Sequence, residues 1–385
     1  MSTVARQTFA YVDLGAIQAN YRAVSSYISR GGVDPLVISV VKANGYGHGA
    51  VAVARVLEAA GAKMLACADI EEGIELRREG VTVPILVFGA LSVSDLDGIF
   101  THCLTPTVSS PGAARALRDA ATRRGTCVAC HLKIDTGMNR LGFRFDNLWQ
   151  TIPEVVLGPG LKIAAAYTHF ATADDREHPL FDLQRSRFSE ALGRLEEFGI
   201  RPGLRHAANS AALLRDQSTW YDGVRPGLLL YGLIPSGCPR SLSLVPALTL
   251  RSRVVAVKGM RPGETAGYGA HFPVTRPTTV AVVPAGYADG LDVRLAGRGS
   301  VLVRGRLAPI VGAVSMDSMT IDVTGLGVIP GDEVVLVGAQ GGNRIGVEDV
   351  AAAIGTVPYE IFCRTGSRII RRYGQGMGRV GADGG

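Results

Sequence analysis

Lys42 closes an apolar run, Leu36 to Val41, and opens the segment Lys42-Ala-Asn-Gly-Tyr46-Gly-His-Gly49. A lysine emerging from an apolar strand is expensive unless it is paired or chemically used. Desolvation lowers its pKa, and a free amine is what forms a Schiff base with an aldehyde. A lysine held by a neighbouring carboxylate is the other reading, and position alone leaves the two open. The glycines that follow look like a phosphate loop, but without a Walker lysine-serine ending they identify no ligand by themselves.

Other groups able to do chemistry also stand where apolar runs end. Lys133 and Asp135 close the run from Val128 to Ile134, and Arg140 lies just beyond. His169 follows Ile163 to Tyr167, His206 lies in Leu204 to Ala208 with Asn209 and Ser210 after it, and Arg225 begins Val224 to Leu230. Only residues 42, 63, 133, 162 and 258 are lysine, so each lysine invites the question of its use.

Cys127-Val-Ala-Cys130-His131 spells a haem-attachment motif. It continues as the β-rich Leu-Lys-Ile-Asp, and residues i and i+3 of a strand face opposite sides, so the two sulfurs cannot grip one haem edge. We read them as two small buried residues in a strand, and the six cysteines as no disulfide framework. No metal is expected.

The elements that must position these residues follow from the spacing of the apolar runs. With Met64–Ala68, Ile85–Phe88 and Leu104–Val108 the runs number eight, about 20 to 40 residues apart, separated by helical stretches such as 50–60, 70–79 and 180–198. Leu14 to Ile28 reads as an amphipathic helix after Asp13 as N-cap. Alternating strands and helices point to a parallel sheet, and eight units in about 220 residues fit a closed (β/α)8 barrel; an open doubly wound sheet is the alternative. In a barrel the strand C-termini share one mouth, so the groups above would share one site.

Past about Leu233 the pattern becomes strand-like runs between Gly/Pro turns: 247–257, 278–283, 301–303, 319–323 and 333–337, with one helix at 347–354. The expectation is an α/β protein, with the barrel over 13–235 and a mainly β domain over 236–385. Residues 1–12 form a strand associated with the β domain, and the Gly-rich tail from 374 is flexible.

Apolar residues at 47% exclude whole-chain disorder. The net charge of +6 raises nucleic acid as a partner, but the arginines are scattered and aromatics are only 6%, so no nucleic-acid partner is expected. No run of 18 apolar residues occurs, and Met1 to Val12 lacks a signal-peptide core, which predicts a soluble cytoplasmic protein with no membrane partner.

The segment around Lys42 resembles the pyridoxal-phosphate signature of bacterial alanine racemases, and the resemblance runs over nearly the whole chain. Matching stretches are 131–142 around Lys133 and Arg140, 167–174 from Tyr167 to Asp174, 206–212, and Arg225-Pro-Gly-Leu-Leu-Leu-Tyr231-Gly. In the second domain they are Gly267-Tyr268-Gly-Ala, Gly286-Tyr287-Ala-Asp-Gly, Val314-Ser-Met316-Asp317-Ser-Met and Val357-Pro-Tyr359-Glu-Ile.

The resemblance implies a racemase interconverting L- and D-alanine and supplying D-alanine for cell-wall peptidoglycan. It implies that Lys42 holds pyridoxal 5'-phosphate as an aldimine. Tyr46, Ser210, Tyr359 and the backbone of Gly227 and Leu228 look like the phosphate cradle, with Asn209 among the cofactor-binding residues. His169 looks like the ring packed against the pyridine. Arg225 is similar to the family residue facing the pyridine nitrogen, and an arginine there leaves that nitrogen an unprotonated acceptor. Racemisation needs a base on each face of the substrate, and Lys42 and Tyr268 look like the pair. Arg140 and the Met316 backbone look like ligands of the substrate carboxylate. Lys133 matches a position commonly carbamylated in the family, supporting Arg140, and His206 belongs to the cationic chain with His169 and Arg225. Tyr287, Asp174 and Asp317 resemble groups of the access passage or supporting residues around it. A homodimer is implied, each site completed by the partner subunit.

This sequence departs from the family at Gly45, where alanine is usual and a looser turn is expected. The arginine after Tyr287-Ala-Asp-Gly290 comes one residue late, as Arg294, and is not given the family's role. The usual proline is missing near Tyr373. Three other readings carry distinct signatures. A related decarboxylase faces the pyridine nitrogen with a carboxylate where Arg225 stands, and a non-catalytic pyridoxal-phosphate carrier resembles the barrel alone. A racemase of serine or of broader specificity is separated by pocket size, which a sequence does not display.

Overall fold

The structure is a computed structural model that describes residues 7–31, 34–91, 96–156 and 159–375. The chain divides into two compact units. One comprises Ala16–Gly45 and Ala50–Val245; the other comprises the residues up to Gly15, Tyr46–Gly49 and those from Pro246 onward.

Strand β1 (Phe9–Asp13) belongs to the second unit. The first unit is built on β2 (Leu36–Val40), β3 (Met64–Cys67), β4 (Ile85–Val87), β5 (Thr105–Val108), β6 (Val128–Asp135), β7 (Leu161–Tyr167), β8 (Leu204–Asn209) and β9 (Gly223–Arg225). They pair in parallel in the order β5-β4-β3-β2-β9-β8-β7-β6, and Thr107 opposite His131 joins β5 to β6. The ring is therefore closed, an eight-stranded parallel barrel with no free edge. Helices between strands include Leu14–Ile28, Ala50–Ala59, Ile70–Arg78 and Leu180–Glu197. Each turns a buried stripe inward; in Leu180–Glu197 it is Phe181, Gln184, Phe188, Ala191 and Leu195.

Seven of the eight apolar runs mark their strands closely, while the last, Val224 to Leu230, does not form one element. Pro226 has no N–H to give a ladder, so β9 stops at Arg225 and the apolar residues continue as a 3-10 turn, Leu228–Tyr231.

The second unit is mainly β. Its strands β10 (Leu248–Arg253), β11 (Ala256–Met260), β12 (Thr278–Val283), β13 (Ser300–Val303), β14 (Arg306–Val311), β15 (Met319–Asp322), β16 (Glu333–Gln340) and β17 (Ile370–Gly374) join β1 in the order β11-β12-β15-β14-β13-β16-β10-β1-β17. β1 is antiparallel to β10 and parallel to β17. The stretch 247–257, expected as one strand, is two. Val254 N–H bonds to Asp332 O and Val255 N–H to Val282 O, so the chain changes ladder partner there and breaks. The helix Val347–Ile354 is present, and Pro358–Cys363 adds a further turn of helix. Residues 376–385 of the Gly-rich tail and residues 1–6 lie outside the described residues. Among the described residues no helix is long and apolar enough to cross a membrane.

Candidate active site

Lys42 follows β2, and the backbone after it turns left-handed for four residues: φ is 53° at Ala43, 53° at Asn44, 61° at Gly45 and 52° at Tyr46. Such a run is unusual for L-residues, each non-glycine position costing roughly 1–2 kcal/mol. Gly45 is thus the residue that lowers the strain of the folded turn, and alanine there would add to it. The turn is secured at both ends. Gly45 N–H bonds to Val41 O at 2.8 Å, and the Asn44 side chain accepts Ala50 N–H at 2.8 Å, so Asn44 starts the next helix. Glu72 accepts Ala43 N–H through Oε1 and Ala68 N–H through Oε2, both at 2.7 Å.

On β6, residues His131, Lys133 and Asp135 alternate onto one face and all are buried. Asp135 Oδ1 accepts Gly137 and Asn139 N–H at 3.0 and 3.1 Å and so shapes the turn that carries the exposed Arg140. The Lys133 ammonium lies 5.7 Å from the Tyr167 ring centroid. Burial, then Arg140 and Arg225, lower its pKa to about 8 against an opposing pull from Asp135, and Lys42 adds to the lowering.

Arg225, at the end of β9, is 4% exposed. Nη1 donates to His206 Nδ1 at 2.8 Å, and Nη2 donates to Thr168 O and Ala207 O at 2.7 and 2.8 Å and reaches His169 Nδ1 at 3.3 Å. These contacts leave its Nε–H without a protein acceptor among the described residues. Burial draws its pKa down to about 10, so it stays protonated at neutral pH. His206 Nε2 meets His131 Nδ1 at 3.0 Å, and the His206 ring stacks on Tyr167 at 4.7 Å. Burial and then Arg225 push His131 down to about 4 and His206 well below its ordinary value. His169 is depressed by burial first, then by Arg225, Lys133, Arg140 and Lys42. Four cations therefore bear on one imidazole at the barrel's C-terminal end, a field suited to an anionic ligand.

Ser210 heads the short helix Ser210–Arg215, and its Oγ accepts Gly227 N–H at 2.9 Å. A hydroxyl, a helix start and the Gly227–Leu228 backbone thus meet in one place, a cradle of the kind a phosphate takes. Asn209 caps that helix, its Oδ1 accepting Ala212 N–H at 2.9 Å. Asp174 is exposed in the loop after His169.

In the second unit Tyr46 is buried, its ring 6.0 Å from that of Tyr359, and burial raises its pKa above the usual phenol range. The 46–49 loop is fixed by Arg371 Nε–H to Gly47 O at 2.7 Å, and a Cβ on Gly47 would overlap the Phe362 carbonyl. Tyr268 is 78% exposed on a turn whose flanking Gly267 and Gly269 have φ of 74° and 73°. Two loops carry Tyr287 and Met316. Tyr287 N–H bonds to Ser315 O at 2.9 Å and Ala288 N–H to Met316 O at 3.0 Å, while a Cβ on Gly286 would press into both carbonyls. Asp317 pairs with Arg368 at 2.5 Å. Arg294 is committed to Asp292, at 2.9 and 2.8 Å, and to Ile354 O, which makes it a brace within this unit.

Three side chains of the barrel escaped the sequence reading. His131 stood there only inside the haem-like decoy and a motif, although its i, i+2 spacing from Lys133 placed both on one face. Tyr167 read as the end of an apolar run, and Glu72 was not singled out within the helical stretch 70–79. Among the described residues no three His, Cys, Asp or Glu side chains are gathered to hold a metal. Cys130 is buried in β6 as expected, whereas Cys127 is exposed and precedes the strand, which corrects the reading of both as buried strand residues.

The pattern of the alanine racemase N-terminal domain matches residues 12–235, and that of the alanine racemase C-terminal domain matches 247–373. An alanine racemase of Symbiobacterium thermophilum is 42% identical over 371 residues, covering 96% of this chain and 97% of that protein. The alanine racemase structure from Streptomyces lavendulae superposes with a TM-score of 0.91 at 35% identity, covering 97% of this chain and 98% of the other. The alanine racemase of Bacillus anthracis, solved with bound L-Ala-P, gives 0.90 at 36% identity, covering 99% and 98%.

Proposed function

The chain belongs to the alanine racemase family and interconverts L- and D-alanine, and from that premise we propose which of its own residues do so. The cofactor is pyridoxal 5'-phosphate, and the residues present fit it: the Ser210–Gly227 cradle for a phosphate, a primary amine at Lys42, and a buried arginine with a donor left over. When bound, it supplies an electron sink that acidifies the Cα–H of the amino acid.

Lys42 would hold the cofactor through Nζ, with Ser210, Gly227, Leu228, Asn209, Tyr46 and Tyr359 around the phosphate and His169 against the ring. Arg225 can only donate, so it would leave the pyridine nitrogen of a bound cofactor as an acceptor, and the electron sink that group supplies would be modest. The Lys42 amine moves the proton on one face of the substrate and the Tyr268 hydroxyl on the other. Arg140 and the Met316 N–H receive the substrate carboxylate. Lys133, already an amine of lowered pKa, reacts in its neutral form with carbon dioxide, the nitrogen losing one proton to solvent as the C–N bond forms, and the carbamate so formed holds Arg140. Tyr287, Asp174 and Asp317 border the approach.

Family likeness supports a homodimer in which Tyr268 and Met316, 78% and 51% exposed, complete the partner's site. Family likeness supports a cytoplasmic protein whose D-alanine enters peptidoglycan.

The observation that carries this reading is Arg225, buried as a cation between His206 and His169. Its test is a D/L interconversion assay over alanine, serine and lysine with added cofactor, beside the visible absorbance of wild type and Lys42→Ala. Turnover of alanine above the others, with the visible band lost in Lys42→Ala, is expected. A wild type that binds no pyridoxal phosphate would refute the cofactor assignment.

A further inference from the structure

Asp69-Ile-Glu-Glu72 opens the helix Ile70–Arg78, and Asp69 Oδ1 accepts Glu72 N–H at 2.9 Å, as an N-cap does. In the usual reciprocal arrangement the glutamate three residues on returns to the N–H of the cap itself. Here it does not. The Glu72 carboxylate reaches past Asp69 to the ends of two adjacent barrel strands: Oε2 takes Ala68 N–H, just beyond β3, and Oε1 takes Ala43 N–H, just beyond β2. Both bonds are 2.7 Å, the short length of a charge-assisted bond. Burial works against the charge, raising the Glu72 pKa, while the N–H groups of Ala68, Ala43 and Asn44 favour it.

Ala43 N belongs to the peptide that immediately follows Lys42, and Ala43 is the first residue of the left-handed turn. Inside the turn Gly45 N–H is satisfied by Val41 O, while Ala43 N–H is held from outside by this carboxylate. A strained backbone persists only where its surroundings over-determine it. Glu72 supplies such a constraint on the peptide that follows the Lys42 Cα.

We propose that Glu72 is a positioning residue for Lys42: by fixing the Lys42–Ala43 peptide to the neighbouring strand end, it aims Nζ for attachment of the cofactor and for proton transfer. This rests on Lys42 being the cofactor lysine. Glutamine at 72 keeps one acceptor but faces the other N–H with an amide NH2, and alanine keeps none.

The test compares full-length wild type, Glu72→Gln, Glu72→Ala and Lys42→Ala. Each is stripped of cofactor and then given pyridoxal 5'-phosphate. The readouts are the rate of borohydride-stable attachment, amide exchange over 41–47 by mass spectrometry, and the separate kcat and KM for alanine. In Glu72→Gln we expect faster exchange in that segment, attachment slowed about tenfold, and kcat reduced about tenfold with KM little changed, since small misplacements act on the reacting geometry. Glu72→Ala should be worse on every readout. Two results overturn the proposal: unchanged exchange over 41–47 in Glu72→Ala, or faster exchange with wild-type attachment and kcat. Failure of the underlying cofactor reading looks different, because Lys42→Ala would then retain the covalent adduct or wild type would never form it.

Discussion

Arg225 Nη1 donates to His206 Nδ1 at 2.8 Å, and that bond sets the protonation of two histidines. Arginine cannot accept, so His206 carries its proton on Nε2 and passes it as a donor to His131 Nδ1, 3.0 Å away. His131 in turn keeps its proton on Nε2. Both rings are neutral, and the positive charge of the chain stays on Arg225, beside the ring position proposed for the cofactor.

A pH dependence of stability follows. The folded His131 has a pKa of about 4, below the 6.5 of an ordinary histidine. Between those values the unfolded chain binds a proton that the folded chain refuses, so stability falls as pH drops from 6.5 toward 4 and is fully present above 6.5. His131 alone accounts for about 3 kcal/mol over that window. Urea unfolding at pH 7 and pH 5 should show the loss. His131→Gln, which can still accept from His206, should flatten the slope; an equal slope in the variant would refute this account.

Gly286 is needed for space, since its φ of −139° suits any residue. A methyl group there meets Ser315 O and Met316 O, the carbonyls that stitch the Tyr287 loop to the Met316 loop. Gly286→Ala should therefore cost about 1–3 kcal/mol in thermal or urea unfolding. It should also raise KM for alanine, by displacing the Met316 backbone assigned to the carboxylate. If KM stays at the wild-type value while stability drops, Met316 does not hold the substrate.

Much of the barrel was legible because parallel strands buried on both faces leave continuous apolar runs, and because Lys42 and His169 follow those runs, and Lys133 and Arg225 interrupt them, as polar exceptions. The turn after Lys42 was not. Four successive left-handed residues are dictated by the anchors at Val41, Ala50 and Glu72, and only Asn44 and Gly45 hint at them locally. Strand β14 was overlooked because Pro309 argues against a strand interior, yet the chain pairs through Val301 opposite Ala308 and Ser300 opposite Pro309 at the end of the ladder. Glu72 stands unmarked within the helical stretch 70–79, because its partners lie four residues back and beyond the end of another strand. The single stretch 247–257 looked uniform because a change of ladder partner leaves no mark in composition.

Lys133 offers a third test. Its amine, lowered to about 8 by burial and by Arg140 and Arg225, is substantially neutral above that pH, and neutral amine is the form that attacks carbon dioxide. The product is an anion among cations, which compensates the charge that otherwise repels Arg140. Protein equilibrated with carbon-13 bicarbonate at pH 8 should show one carbamate carbonyl resonance, absent from Lys133→Gln. The variant should lose activity chiefly through KM, about tenfold or more, as Arg140 loses its anchor. A resonance that survives in Lys133→Gln would place the modification elsewhere.

Tyr268 and Lys42 are assigned opposite faces of one carbon, and this can be separated from a general loss of activity. The equilibrium between mirror-image amino acids is fixed at unity by symmetry, so a variant must lose kcat/KM equally in both directions; comparing the two racemisation rates decides nothing. Exchange of the Cα proton with solvent does decide. In deuterium oxide, Tyr268→Phe retains the Lys42 amine but lacks the hydroxyl, so D-alanine should still exchange its Cα proton while L-alanine should not. Racemisation should fall by about 10²–10⁴, the usual worth of a positioned acid or base. Lys42 itself cannot be tested by simple removal, because its loss also removes the cofactor anchor, which makes the tyrosine variant the informative one. Exchange from L-alanine at the wild-type rate in Tyr268→Phe would remove the tyrosine from the chemistry and leave one base to serve both faces.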